Sequence, residues 1–140
     1  MPIDFLERCE VIEECYEFML AYAGQGLPSE QGSQSGGRVR EFLERAVEAL
    51  TGIAENFTQS VAQQGIELTG KYQAFSAVLQ RDAQNSLAAI ELVLAQPSIS
   101  SQLIDNLNAS IHLRALLTDL FLIGDILRTR SQTGVTISAE

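Results

Sequence analysis

The chain has 140 residues, 46% of them hydrophobic, and its 18 acidic residues against 9 basic ones give a net charge of −9. This length suits one domain that buries its own core without a metal ion or a disulfide bridge. The negative charge opposes binding to nucleic acid or to an anionic membrane, because the few basic residues do not cluster into a positive patch.

The first predicted helix covers residues 4–23. Asp4 can cap its N-terminus, and apolar residues then recur at alternating spacings of four and three, a pattern typical of helices that pack side by side. Cys9 and Cys15 lie about 9 Å apart along this helix, too far to form a disulfide with each other. Because the sequence also begins without a secretory signal pattern, we expect a cytoplasmic protein.

One side of this helix carries four glutamates: Glu7, Glu10, Glu14 and Glu17. Carboxylates inside a helical bundle can bind iron, but such sites combine glutamate with histidine, and this helix has no histidine. The apolar positions of the helix turn inward and take the glutamates outward. We therefore predict a solvated acidic face and no metal site, with docking of a basic protein partner as the functional alternative.

Residues 24–37 read GQGLPSEQGSQSGG. They contain almost no apolar side chains, so we predict a long flexible loop. Fully extended, this segment would span about 45 Å, which permits either a hairpin or a crossover connection. The sequence does not choose between the two.

Three more helices are predicted after this loop, over residues 38–64, 71–96 and 99–129. Pro97 separates the last two, and Ser98 or Ser100 can cap the fourth helix. Residues 131–140 lack helical periodicity and are predicted to form a disordered tail.

The fold class indicated by these elements is all-α. Four helices with one long and two short connections predict a four-helix bundle, up-down in topology, formed by a single domain over residues 1–130.

Residues 111–127 form the densest run of large aliphatic side chains in the chain. At about 100° per residue they divide into two apolar stripes, whereas a helix at a protein surface has one. The run is too short and too charged to span a membrane. The first stripe contains Leu113, Leu116, Leu117, Leu120, Ile123 and Leu127. The second contains Ile111, Ala115, Leu122 and Ile126, and Ile104 continues it toward the N-terminus.

A small domain can easily bury one of these stripes, which leaves the other to be covered by a different molecule. We therefore predict that the second stripe forms the interface of a homodimer or a higher homo-oligomer. The pattern itself does not show which stripe faces the chain's own core.

No residue pattern indicates catalysis. His112 is the only histidine, and it lies two helical turns, about 10 Å, before Asp119, so the two cannot bond directly. No serine or cysteine nucleophile stands at a recognisable spacing from them, and the glycines of residues 24–37 do not match a phosphate-binding loop. We expect neither enzymatic activity nor a cofactor.

Two functional hypotheses follow. In the first, the protein is a non-enzymatic scaffold, adaptor or regulatory binding protein that self-associates through its last helix and also meets another protein. In the second, the bundle core carries a small apolar ligand or cofactor in a cavity lined by Phe57, Tyr72, Phe75 and Phe121.

Overall fold

The computed structural model describes residues 4–66 and 70–138, with side chains as far as residue 130. Within these ranges the protein is all-α, as predicted, but it has six helices instead of four. They are α1 (Phe5–Gly24), α2 (Gly36–Leu50), α3 (Ile53–Gln63), α4 (Gly70–Leu94), α5 (Ser101–Ala109) and α6 (Ile111–Ser138). The difference arises because two of the predicted helices are each divided in two.

The predicted helix over residues 38–64 divides at Thr51 and Gly52. Thr51 has an extended backbone, and Gly52 has a φ of 75°, a left-handed conformation that favours glycine. Arg8 of α1 binds the carbonyl groups exposed at the end of α2: its Nη1 lies 2.7 Å from the oxygen of Thr51 and 3.1 Å from that of Ala49. A cation at a helix C-terminus is favourable, so Arg8 stabilises the break.

The predicted helix over residues 99–129 divides at Ser110, whose backbone is extended. The Oγ of Ser110 accepts a hydrogen bond from the backbone N–H of Leu113 at 3.3 Å, so Ser110 caps the new helix α6. Ser100 caps α5 in the same way, as the sequence predicted. Because of this division, Ile104 does not continue the second stripe: it is 0% exposed and belongs to the core.

The last helix also ends later than predicted. Residues 131–138 continue α6 to Ser138, whereas the sequence predicted a tail without regular structure from residue 131. Residues 139 and 140 of that predicted tail lie outside the described residues.

Helices α1 and α2 are antiparallel. Near the end of α1, Phe18 stacks on Phe42 from the first half of α2, with ring centroids 4.1 Å apart. Near the start of α1, Arg8 reaches the end of α2. The connection between the two helices is therefore a hairpin, which the sequence left open.

Specific contacts anchor this connection. The N–H of Leu27 donates to the Oγ of Ser101, and the carbonyl of Leu27 accepts from the backbone N–H of Ser101, both at 2.9 Å. Glu30 accepts two hydrogen bonds from Arg40, at 2.7 and 2.9 Å, and a third from the N–H of Ile99 at 3.0 Å. The polar composition that predicted a flexible loop supplies the side chains that tie it to α2 and α5.

Helix α6 packs mainly against α4, and the two run antiparallel. Close to the start of α6, the Oγ of Ser86 donates to the carbonyl of His112 at 3.0 Å. Farther along α6, Ile126 lines the same groove as Tyr72 from the first turn of α4. Buried residues from all six helices join into one core, which leaves one side of α6 outside.

Candidate functional site

The structure shows which stripe of α6 faces the core. All six residues of the first stripe are buried: Leu113, Leu116, Leu117, Leu120, Ile123 and Leu127. They join the common core, because α6 packs on α4, α5 and α1 through this side.

The second stripe is turned outward. Ile111 is 76% exposed, Leu122 is 51% exposed and Ile126 is 38% exposed, while Ala115 between them is half-buried. We call these four residues the outer face of α6. Of the five interface residues predicted from the sequence, the structure therefore brings together all except Ile104.

An apolar groove lies beside the outer face, between α6 and the start of α4. Its volume is about 260 Å³. It is lined by Phe57, Lys71, Tyr72, Phe75, Leu122, Ile123, Ile126 and Leu127. Three of the four aromatic residues predicted to line a ligand cavity are present, but the fourth, Phe121, is 54% exposed on another side of α6. The groove opens at the surface rather than inside the bundle, since Leu122 and Ile126 form part of both the groove and the outer face.

Two charged residues flank the outer face on the side away from α4. Arg114 and Asp125 are both exposed, and successive steps of about 100° place them within about 20° of each other around the helix. They are more than ten residues apart along it, so they cannot pair with each other within one chain. Neither forms an ion pair in the part of the chain that the structure describes, where such pairs join Arg40 to Glu30 and Arg45 to Glu14.

On the opposite flank, Asp119 faces α4. It is 7% exposed, its carboxyl group lies beside that of Asp82 on α4, and its Oδ2 has no hydrogen-bond partner among the described residues. Burial raises the pKa of Asp119 to about 7, and the hydrogen bond with Asp82 and the charge of that residue add to the rise. Asp119 therefore pairs with a carboxyl group that the sequence analysis did not single out. His112 is exposed and contributes its backbone carbonyl to Ser86 instead.

The acidic face of α1 is exposed, as predicted. Glu7, Glu10, Glu14 and Glu17 all point to solvent, and Glu14 lies 3.4 Å from Arg45 of α2. Among the residues that the structure describes, no group of three or more histidine, cysteine or acidic side chains is arranged to hold a metal ion.

Both cysteines are free and buried in the core. Burial raises the pKa of the Cys9 thiol to about 12 and that of the Cys15 thiol to about 11, with nearby glutamates adding to both shifts. The reactive thiolate form is therefore scarce at neutral pH, and neither cysteine has the environment of a nucleophile.

Comparison with protein-family models, with curated proteins and with solved structures found no match for this chain. Across residues 4–66 and 70–138, no helix is both long enough and apolar enough to cross a membrane.

Proposed function

We propose that the protein is a non-enzymatic scaffold, adaptor or regulatory binding protein that self-associates through α6. The observation that carries this proposal is the exposure of Ile111, Leu122 and Ile126 on one side of a single helix, next to an apolar groove. Isolated apolar residues on a surface are ordinary, whereas a contiguous apolar area favours an interaction site. Self-association would remove this area from water.

The proposal includes a particular reading of the fold. The six helices act as an up-down four-helix bundle in which α2 with α3, and α5 with α6, each form one interrupted rod. The antiparallel contacts of α1 with α2 and of α4 with α6 support this reading. In such a bundle α6 occupies a corner, so one side faces the core while the other remains available to a partner.

We also propose that the protein works in the cytoplasm and meets a second, basic protein through the acidic face of α1. Buried, unpaired cysteines fit a reducing compartment. The net charge of −9 and the exposed row from Glu7 to Glu17 favour a partner of opposite charge.

Substitutions on the two stripes of α6 test the self-association. Leu122→Glu places a charge on the outer face and should give a folded monomer. Leu116→Glu places the same charge in the core, where the side chain is 0% exposed, and should unfold the protein. Light scattering measures the mass and circular dichroism measures the helix content; equal loss of helix in both variants would contradict the assignment of the outer face.

The groove favours a second candidate function, the carriage of a small apolar ligand. Phe57, Tyr72 and Phe75 provide an aromatic lining, although its volume of about 260 Å³ lies below the roughly 300–1,000 Å³ of most ligand sites. Native mass spectrometry of freshly purified protein tests this alternative. A carrier should retain additional mass that is lost in Tyr72→Glu and kept in Leu92→Glu, because Leu92 is exposed at the far end of α4.

A further inference from the structure

We propose that the outer face of α6 binds the same face of a second copy of this chain in antiparallel orientation, so that Ile111 of each copy enters the apolar groove of the other. This inference rests on the proposed self-association and adds its partner surface, direction and register. A two-fold arrangement of this kind closes on itself and gives a dimer.

The spacing of the apolar residues supports the antiparallel direction. Ile111 and Ile126 are equally far from the midpoint between Thr118 and Asp119, and so are Ala115 and Leu122. With a two-fold axis at this midpoint, Ile111 lies level with Ile126 of the second copy, and Ala115 lies level with Leu122. Each larger residue at the centre then meets a small one, which allows the helices to approach closely.

The groove supports the same register. Among the residues whose side chains the structure describes, Ile111 is the most exposed large apolar residue, and Ile126 and Leu122 form the mouth of the groove. When Ile111 lies level with Ile126 of the other copy, it stands at that mouth, where about 260 Å³ of apolar space can receive an aliphatic side chain. Ile111 of each copy is thus complementary to the groove of the other copy, and the two-fold axis repeats this contact.

The charges on the flank provide an independent argument. In an antiparallel dimer, the two-fold axis is perpendicular to the plane that contains the two α6 helices. The flank carrying Arg114 and Asp125 therefore lies on the same side of this plane in both copies, and the two flanks face each other. At a rise of about 1.5 Å per residue, Arg114 then lies within about 3 Å of the level of Asp125 in the other copy. Two reciprocal ion pairs result, between residues that have no ion-pair partner within the described part of their own chain.

A parallel dimer lacks this complementarity. It would bring the flank of Arg114 against the opposite flank of the second copy, where His112 is exposed and the carboxyl group of Asp119 is buried against Asp82. No exposed acidic residue on that flank of α6 would then lie opposite Arg114. The antiparallel register is therefore favoured by shape and by charge.

Disulfide trapping tests the register. The double variant Ala115→Cys with Leu122→Cys should form a covalent dimer on mild oxidation. The cysteine at position 115 of each copy lies level with the cysteine at position 122 of the other copy. Leu122→Cys alone should remain uncrosslinked, since its two copies would be about 10 Å apart along the helices, beyond the reach of a disulfide. The native cysteines are buried and provide a low background. A parallel dimer would instead place the two copies of residue 122 level with each other, so Leu122→Cys alone would crosslink as efficiently as the double variant.

Charge exchange tests the ion pairs. Arg114→Asp and Asp125→Arg should each weaken the dimer by about tenfold or more, because they place like charges together. The double variant should restore the dissociation constant to within about threefold of the wild type. Arg81→Asp, at an exposed position on α4, provides the matched control and should leave the dimer unchanged.

The outcomes separate this inference from the proposed function. A monomeric wild-type protein would overturn both. A wild-type dimer that crosslinks through Leu122→Cys alone, or that survives Ile111→Glu unchanged, would overturn the inferred register while leaving self-association in place. A dimer trapped only by the double cysteine variant and restored by the charge exchange supports the inference.

Discussion

The carboxyl group of Asp119 on α6 lies beside the carboxyl group of Asp82 on α4, and Asp119 is only 7% exposed. Burial deprives the Asp119 carboxylate of water and the nearby charge of Asp82 repels it, so Asp119 keeps its proton to a higher pH in the folded protein than in the unfolded chain. This pair lies between the two helices that also form the apolar groove. Its protonation therefore affects the packing that supports the candidate site.

We expect the free energy of unfolding to fall as the pH rises through the range in which this pair loses its proton. The pKa of Asp119 is about 7 in the folded protein, against a reference value of 3.8. The folded state thus binds a proton more tightly than the unfolded state, and its stabilising contribution is lost between about pH 4 and pH 7.

Asp119→Asn tests this expectation because the amide can still donate to Asp82 without needing a proton. Thermal unfolding followed by circular dichroism should show that the variant gains roughly 3–8 °C over the wild type at about pH 8 and much less at about pH 4.5. Asp105→Asn, at an exposed position on α5, is the control and should follow the wild-type curve. An equal shift at both pH values would argue against titration of the pair.

Arg40 provides a second prediction because it joins the hairpin connection to the end of α4. Its guanidinium binds Glu30 and also donates to the carbonyl oxygens of Leu94 at 2.8 Å and Gln96 at 2.7 Å. Arg40→Ala removes these charge-assisted bonds and should lower the free energy of unfolding by about 1–3 kcal/mol. Urea titration measures the loss, and Arg81→Ala, a substitution of an exposed arginine on α4, should cost much less.

The same contact has a consequence at acid pH. The hydrogen bonds from Arg40 lower the pKa of Glu30, against the opposing effect of burial, and the N–H of Ile99 adds to the lowering. The stabilisation is present above the unfolded pKa of Glu30 and is lost as the pH falls through its lower folded value. Glu30→Gln should therefore reduce the stability at neutral pH and make little difference at about pH 2.

The helical class, the inward side of α1 and the presence of two apolar stripes on α6 could be predicted from sequence because they depend on the spacing of apolar residues, whereas the choice of the stripe that faces the core required the structure. The breaks at Gly52 and Ser110 could not, since the apolar pattern continues through both. Their stability depends on distant groups, such as the guanidinium of Arg8 at the end of α2. The prediction that Ile104 belongs to the second stripe was wrong for this reason. The step of about 100° per residue does not continue across the break at Ser110, so positions in α5 cannot be projected onto the sides of α6.

In the candidate site, too, some features could be predicted from sequence and others could not. The angular positions of Leu122 and Ile126 alone placed them on a second apolar stripe that was predicted to form an interface. The pairing of Asp82 with Asp119 was not, because it joins two helices whose relative register is set by the complete packing of the core. The sequence shows Asp82 as an acidic residue of α4, but its position does not indicate a partner.

Tyr22 provides a third prediction. Its buried hydroxyl donates to the carbonyl oxygen of Ile99 at 2.6 Å, and its own carbonyl accepts from the Oγ of Ser101 at 2.6 Å. Tyr22→Phe leaves the carbonyl of Ile99 without this donor and should cost about 1–2 kcal/mol of stability in urea titration. Tyr16→Phe is the matched control on the same helix, because Tyr16 is half-buried and its hydroxyl makes no comparable bond in the described residues.

A fourth prediction concerns the two thiols. Because burial raises the pKa of Cys9 to about 12 and of Cys15 to about 11, both should react slowly with a thiol-specific reagent such as Ellman's reagent at neutral pH. Full reactivity should appear only on denaturation. Rapid modification of either cysteine in the folded protein would contradict its burial and would also complicate the disulfide trapping.

Sedimentation equilibrium over a range of protein concentrations measures the self-association through α6 most directly. The wild-type protein should have twice the chain mass of 15.3 kDa at micromolar concentration, and Ile111→Glu should remain helical and sediment as a single chain. A wild-type protein that sediments as a monomer throughout this range would contradict self-association through the outer face.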